Sequence, residues 1–102
     1  MTRRHYLVSG RVQGVGFRAF TERKGAALGL EGRVRNLRDG RVEAIAIGSA
    51  EKIREFEILI AKGPMLAKVT DVAITEIDEA SELLANVESF ERDSDGEAPW
   101  KP

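Results

Sequence analysis

The sequence predicts an α+β fold in which one sheet carries two helices on the same face. Three observations in its 102 residues point there. Two segments place apolar residues at helical spacing, runs rich in Val, Ile and Thr flank them, and an Asp-Gly turn joins the two middle runs as a hairpin.

Residues 5–12 alternate and include Tyr6, Leu7 and Val8, which suits a first strand, and a glycine-rich turn follows at 13–17. From Phe17 to Leu28, Phe17, Phe20, Ala27 and Leu28 mark one apolar face among charged residues, and Gly29 is placed to stop the helix. Residues 32–37 and 41–47 flank Arg38-Asp39-Gly40 and read as an antiparallel hairpin. Ser49 can cap a second helix whose Ile53, Phe56, Leu59 and Ile60 recur at helical spacing until Lys62-Gly63-Pro64 ends it. Lys68–Ile77 reads as a fourth strand, Ala80–Asn86 as a helical turn or an irregular connector, and Val87–Arg92 as a short fifth strand.

The order β-α-β-β-α-β is that of a ferredoxin-like sandwich, with an antiparallel sheet, both helices on one face and the other face open to solvent. Residues 1–92 are expected to form a single domain. The polar, proline-containing stretch 93–102 is expected to be a loose tail in which Trp100 alone invites docking.

Composition narrows the function classes. The chain is 42% hydrophobic and 32% charged, as in ordinary globular proteins. It has no cysteine, which excludes disulfides, thiolate metal sites and a cysteine nucleophile, and one histidine. The basic start Met1-Thr2-Arg3-Arg4-His5 is followed by too short an apolar run for a secretory or membrane segment, so a cytoplasmic protein without a membrane partner is expected. Net charge is −1, yet residues 1–54 carry twelve Lys or Arg against five Asp or Glu, whereas residues 55–102 carry four against twelve. Either a positive field surrounds the glycine turn and draws in anions, or folding interleaves the two halves and cancels the contrast.

The turn is the first candidate site. Gly10-Arg11-Val12-Gln13-Gly14-Val15-Gly16-Phe17-Arg18 leaves a strand and enters a helix, a geometry in which several backbone N–H groups can face one anion. It is neither a nucleotide P-loop, lacking Gly-Lys-Ser/Thr, nor a dinucleotide fingerprint, since Ala19 stands where the third glycine would fall. Arg18, at the helix N-terminus, adds a forked permanent cation where the helix dipole already favours an anion. Asn36, just before the hairpin turn, is the second candidate: its carboxamide can hold a water by donating and accepting, or it can satisfy backbone groups at the turn.

Those two motifs, followed by Asp39-Gly40-Arg41-Val42-Glu43 and Gly63-Pro64, resemble the small, common-type acylphosphatases over about residues 5–78. The resemblance implies metal-free, cofactor-free hydrolysis of the carboxyl-phosphate anhydride of a small-molecule acyl phosphate, and a monomer is expected. It maps the catalytic arginine and asparagine onto Arg18 and Asn36, and the phosphate-binding amides onto Gln13, Gly14, Val15, Gly16, Phe17 and Arg18. The chain departs from the family pattern at Arg38, at Met65-Leu66 and at Glu91-Arg92 after Phe90.

Other candidates have weaker claims. His5 sits near the edge of the first strand, Glu22 on a helix surface, Asp39 in a turn and Glu43 on a strand face, while Ser9 and Thr21 lack an activating partner at recognisable spacing. One alternative is a module that captures an acyl or carbamoyl phosphate without hydrolysing it, although capture alone needs no water-positioning Asn36. Another is an RNA binder, since RNA-recognition domains share the element order, but these expose aromatic residues on central strands. Here only Tyr6 and Phe90 fall on strands, so no nucleic-acid partner is expected.

Overall fold

The structure is a computed structural model that describes residues 1–101. The first strand, β1 (Thr2–Arg11), begins three residues before the apolar alternation because Arg3 and Arg4 already pair with the next strands of the sheet. Helix α1 (Phe17–Ala27) follows, with the left-handed Gly29 just past its end. The hairpin is β2 (Glu31–Asn36) and β3 (Val42–Gly48), closed by a turn in which the Leu37 N–H donates to the Arg41 carbonyl at 2.8 Å. In that turn the hydrogen bond from the Arg41 side chain holds the Asp39 carboxyl below the usual carboxylate range. Ser49 caps α2 (Ala50–Lys62) by accepting from the Lys52 N–H, and Gly63 ends it. Strand β4 (Lys68–Glu76), a 3-10 turn at Glu82–Leu84 and strand β5 (Phe90–Arg92) complete the chain.

The sheet order is β4-β1-β3-β2-β5. Tyr6, Val8, Val34, Val42, Ala44 and Ala46 point to the helix side and pack with Phe17, Ile53, Phe56 and Ile60. Burial raises the Tyr6 hydroxyl pKa, and its O–H donates to the Glu57 carboxylate at 2.8 Å, tying β1 to α2. Tyr6 and Phe90, the strand aromatics, are thus both in the core and form no exposed stacking surface.

Helix α1 differs from expectation in its buried stripe. The residues fully covered are Phe17, Thr21 and Gly25, spaced by four, whereas Phe20 is half-buried and Ala27 exposed. Apolarity alone misplaces this face because what the helix needs against β2 and β5 is small size. The Phe90 ring fits between Gly25 and Gly32, and a Cβ on either glycine would overlap it.

Three further expectations are corrected. The sheet is mixed, not antiparallel throughout, because β5 pairs parallel with β2, Gly32 opposite Phe90 and Val34 opposite Arg92. The chain leaves β4 at the end of the sheet where β2 begins, so it enters β5 running with β2. The second face of the sheet is not open over β2 and β3: Ile45 is buried, and residues from the 3-10 turn and the C-terminal stretch lie over Arg33 and Arg35. The stretch expected to be loose is docked. The Asp93 N–H donates to the Val34 carbonyl at 2.8 Å and the Gly96 N–H to that of Asn36 at 2.9 Å, extending the line of β5 along β2. Trp100 then lies 3.9 Å from the Arg35 guanidinium, measured to the ring centroid, and its backbone N–H donates to Glu43. Polarity suggested a loose tail, but backbone groups and guanidinium faces hold it without apolar burial.

The charge contrast between the halves is interleaved by folding. Acids of the second half meet arginines of the first in the pairs Arg4–Glu57, Arg4–Glu76, Arg18–Asp95 and Arg38–Glu97.

Gly25→Ala tests the small-residue contact. Helix propensity alone would stabilise α1 by roughly 1 kcal/mol, but overlap with Phe90 is expected to dominate and lower the unfolding free energy by about 1–3 kcal/mol in a denaturant titration. A gain in stability would show that α1 and β5 separate at no cost.

Candidate active site

Three elements meet at one end of the sheet, where β1 stops, α1 starts and β2 enters its hairpin. They enclose a cleft of about 160 Å³ lined by Gln13, Gly14, Gly16, Arg18, Asn36 and Arg92, with the bodies of Val12, Phe17 and Ala19 behind them. The two motifs, 18 residues apart from Arg18 to Asn36, thus converge on one cleft. A larger hollow of about 620 Å³ lies at the opposite end, beside Leu28, Leu30, Ile47 and Lys52, and contains none of the candidate residues.

The loop owes its shape to Gly14 and Gly16, at φ +73° and +78°. A Cβ at either would meet no atom within 4 Å, so glycine is needed there for the left-handed backbone and not for lack of room. Gly10 is a different case: it lies at a β-bulge where a side chain would collide with the Lys68 carbonyl of the adjoining strand. Among the described residues, no carbonyl accepts from the N–H groups of Gln13, Gly14, Val15 or Gly16. Those of Phe17 and Arg18 belong to the first turn of α1, which has no intrahelical acceptors. Val15 turns its side chain to the core and contributes only backbone.

Arg18 reaches the cleft from the first turn of α1. Its Nη1 lies 2.7 Å from Asp95 Oδ1 and 3.3 Å from the Asp93 carbonyl, so the docked C-terminal stretch holds one edge of the guanidinium. The Nε and Nη2 donors have no hydrogen bond among the described residues. Asn36 ends β2 on the helix side, and its Oδ1 is buried without a hydrogen-bond partner among the described residues. An unsatisfied amide oxygen at the wall of a polar cleft is an acceptor ready for a water or a substrate hydroxyl.

The remaining candidates lie elsewhere. His5 is buried on the second face of the sheet, 2.6 Å from Glu43 Oε2, and Glu43 also accepts from Arg35 Nε at 2.8 Å. Glu22 pairs with Arg92 at 3.0 Å, Asp39 with Arg41, and Thr21 donates to the Phe17 carbonyl. Among the described residues, no three His, Cys, Asp or Glu side chains come together as a metal site. Among the described residues, no helix is long and apolar enough to cross a membrane.

Residues 4–91 match the family model described as acylphosphatase. The chain belongs to the acylphosphatase family. An acylphosphatase of Koribacter versatilis is 47% identical over 87 residues, covering 85% of this chain and 76% of that one. One from Methylococcus capsulatus is 51% identical over 77 residues, covering 76% and 84%. The crystal structure of the acylphosphatase from Bacillus subtilis superposes with a TM-score of 0.80 at 37% identity, covering 90% of this chain and 98% of that one.

Membership makes this acylphosphatase an enzyme, a hydrolase of acid anhydrides whose substrate is a small acyl phosphate, and disfavours capture without hydrolysis. Two parts of the acylphosphatase cleft escaped sequence reasoning. Arg92 comes from a three-residue strand with no motif around it. The Gln13 side chain donates to the carbonyls of Leu37 and Arg41 at 2.7 and 2.9 Å, strapping the loop to the hairpin that carries Asn36. A glutamine in a turn carries no such signal in one dimension.

Gln13→Ala removes the strap while keeping the loop amide. The unfolding free energy is expected to drop by about 1 kcal/mol, and kcat/KM for an acyl phosphate by about tenfold as loop and Asn36 lose their relative position. Unchanged turnover alongside reduced stability would limit the strap to a folding role.

Proposed function

We propose that this acylphosphatase works by metal-free, in-line attack of water held by Asn36 on a phosphoryl group held by the loop amides of Gln13 to Arg18 and by the Arg18 guanidinium. The observation that carries the proposal is the buried Asn36 Oδ1, unpartnered among the described residues, in the same cleft as uncommitted loop amides and the Nε and Nη2 donors of Arg18. The bond from the water oxygen to phosphorus forms as the bond from phosphorus to the acyl oxygen breaks, and the departing carboxylate takes the electron pair. A carboxylate leaves without protonation, so no acid is required at its side. The water's proton passes to a phosphate oxygen or to solvent.

What remains is positioning and charge stabilisation, which backbone dipoles and a guanidinium supply without rearranging during the reaction. Asn36 is too weak a base to take the proton, and its part is orientation. The cysteine-free, polar composition fits a cytoplasmic setting. The proposed working form is a monomer, since the cleft is built from one chain.

Arg18→Ala is expected to cut kcat/KM by roughly 10³-fold, as for other arginines that stabilise phosphoryl transfer. Wild-type turnover by a folded Arg18→Ala protein would refute the assignment. Asn36→Ala is expected to lower kcat far more than it weakens binding of inorganic phosphate, because the water matters to the step and not to the bound ground state. Loss of phosphate affinity with turnover retained would exchange the two roles. Both assays are run with a chelator, and activity that disappears on its addition would overturn the metal-free mechanism.

A further inference from the structure

The cleft holds a second cation that the phosphoryl seat does not use. Among the described residues, Arg18 and Arg92 are the two charged side chains in its lining, both guanidinium groups, and no carboxylate lines it. A single phosphoryl group occupies the loop amides and Arg18, which leaves Arg92 for some other part of the substrate.

The position of Arg92 is fixed from two sides. Parallel pairing sets it opposite Val34, two residues before Asn36 on the neighbouring strand. Glu22, one helical turn beyond Arg18 on α1, holds the Arg92 Nε at 3.0 Å and is its ionic partner among the described residues. Contact through Nε leaves the two terminal nitrogens of the fork available. The side chain is 53% exposed, so it stands on the rim and not at the floor. Because Arg92 lines the cleft and is also half exposed, an acyl group that projects from the phosphoryl seat toward solvent on that side passes within its reach.

We propose that Arg92 is a specificity-determining residue that favours acyl phosphates whose acyl part bears a second anionic group, a carboxylate or a phosphate. The inference rests on the phosphoryl-binding role given to the loop and Arg18 above. A neutral acyl group gains nothing from Arg92, whereas an anionic one gains a charge-assisted hydrogen bond weakened by solvent.

The test compares 4-carboxybenzoyl phosphate with benzoyl phosphate in the wild type, Arg92→Gln, Arg92→Lys and Arg54→Gln, at low salt and at about 0.5 M salt. Arg92→Gln is expected to lower the ratio of kcat/KM for the charged over the neutral substrate about fivefold, chiefly through KM, in line with a solvent-screened pair. Arg92→Lys restores most of the ratio. Arg54→Gln, which removes an equal charge from an exposed position on α2, leaves it unchanged. High salt lowers the wild-type ratio, because the extra contact is with a solvent-exposed charge. If Arg92→Gln fails to fold, this wild-type salt response decides, and an identical response of both substrates overturns the inference. An unchanged ratio in folded Arg92→Gln, or the same drop in Arg54→Gln, also overturns it while leaving the phosphoryl site intact. Failure of the wild type to hydrolyse either substrate overturns the reading of the site, and this inference with it.

Discussion

A buried carboxylate organises the second face of the sheet. Glu43 lies in the central strand with no solvent exposure, and a carboxylate so placed must be met by donors from every side. His5 of β1, Arg35 of β2 and the backbone N–H of Trp100 supply them at 2.6 to 2.8 Å. The third donor comes from the C-terminal stretch, so satisfying Glu43 requires that stretch to lie across the sheet. Once it does, the intervening residues bring Asp95 to Arg18 and Gly96 to the carbonyl of Asn36. The polar centre of one face thereby reaches the rim of a cleft on the other.

The cleft itself uses groups that the fold leaves unpaired. A strand that stops and a helix that starts expose N–H donors, two glycines curve them inward, and the end of a hairpin strand offers one amide. These components are brought together by relative placement alone. The strap from Gln13 to the hairpin links the two halves of that placement directly.

Much of this was legible in one dimension. The helix α2 stripe of Ile53, Phe56 and Ile60, the Ser49 cap and the Asp-Gly hairpin follow from local spacing and turn chemistry, and the structure contains them. Arg18 and Asn36 stand out as candidates in the sequence because each sits beside a backbone signal, a glycine turn or a hairpin, and the structure brings both to one cleft. What was not legible depends on packing between distant segments. Gly25 looks like a weak helix residue until Phe90, 65 positions later in the chain, needs its space. The tail looks loose until Glu43 and the faces of Arg33 and Arg35 provide something for it to lie on. Direction of the last strand depends on where a connector crosses, which no local pattern records.

Among the described residues, strand β4 pairs only with β1, so one margin of the sheet presents an unpaired row of backbone donors and acceptors along Lys68–Glu76. Such a margin is a template for adding a strand from another molecule. Lys68, Asp71 and Glu76 place charges at its two ends and its middle, and an incoming apolar segment would have to desolvate them. The opposite margin is three residues of β5, prolonged along β2 by Asp93 and Gly96 before the chain turns over the sheet. The two margins therefore differ: one is a long strand broken up by charge, and the other ends where the route that brings Asp95 to Arg18 turns over the sheet.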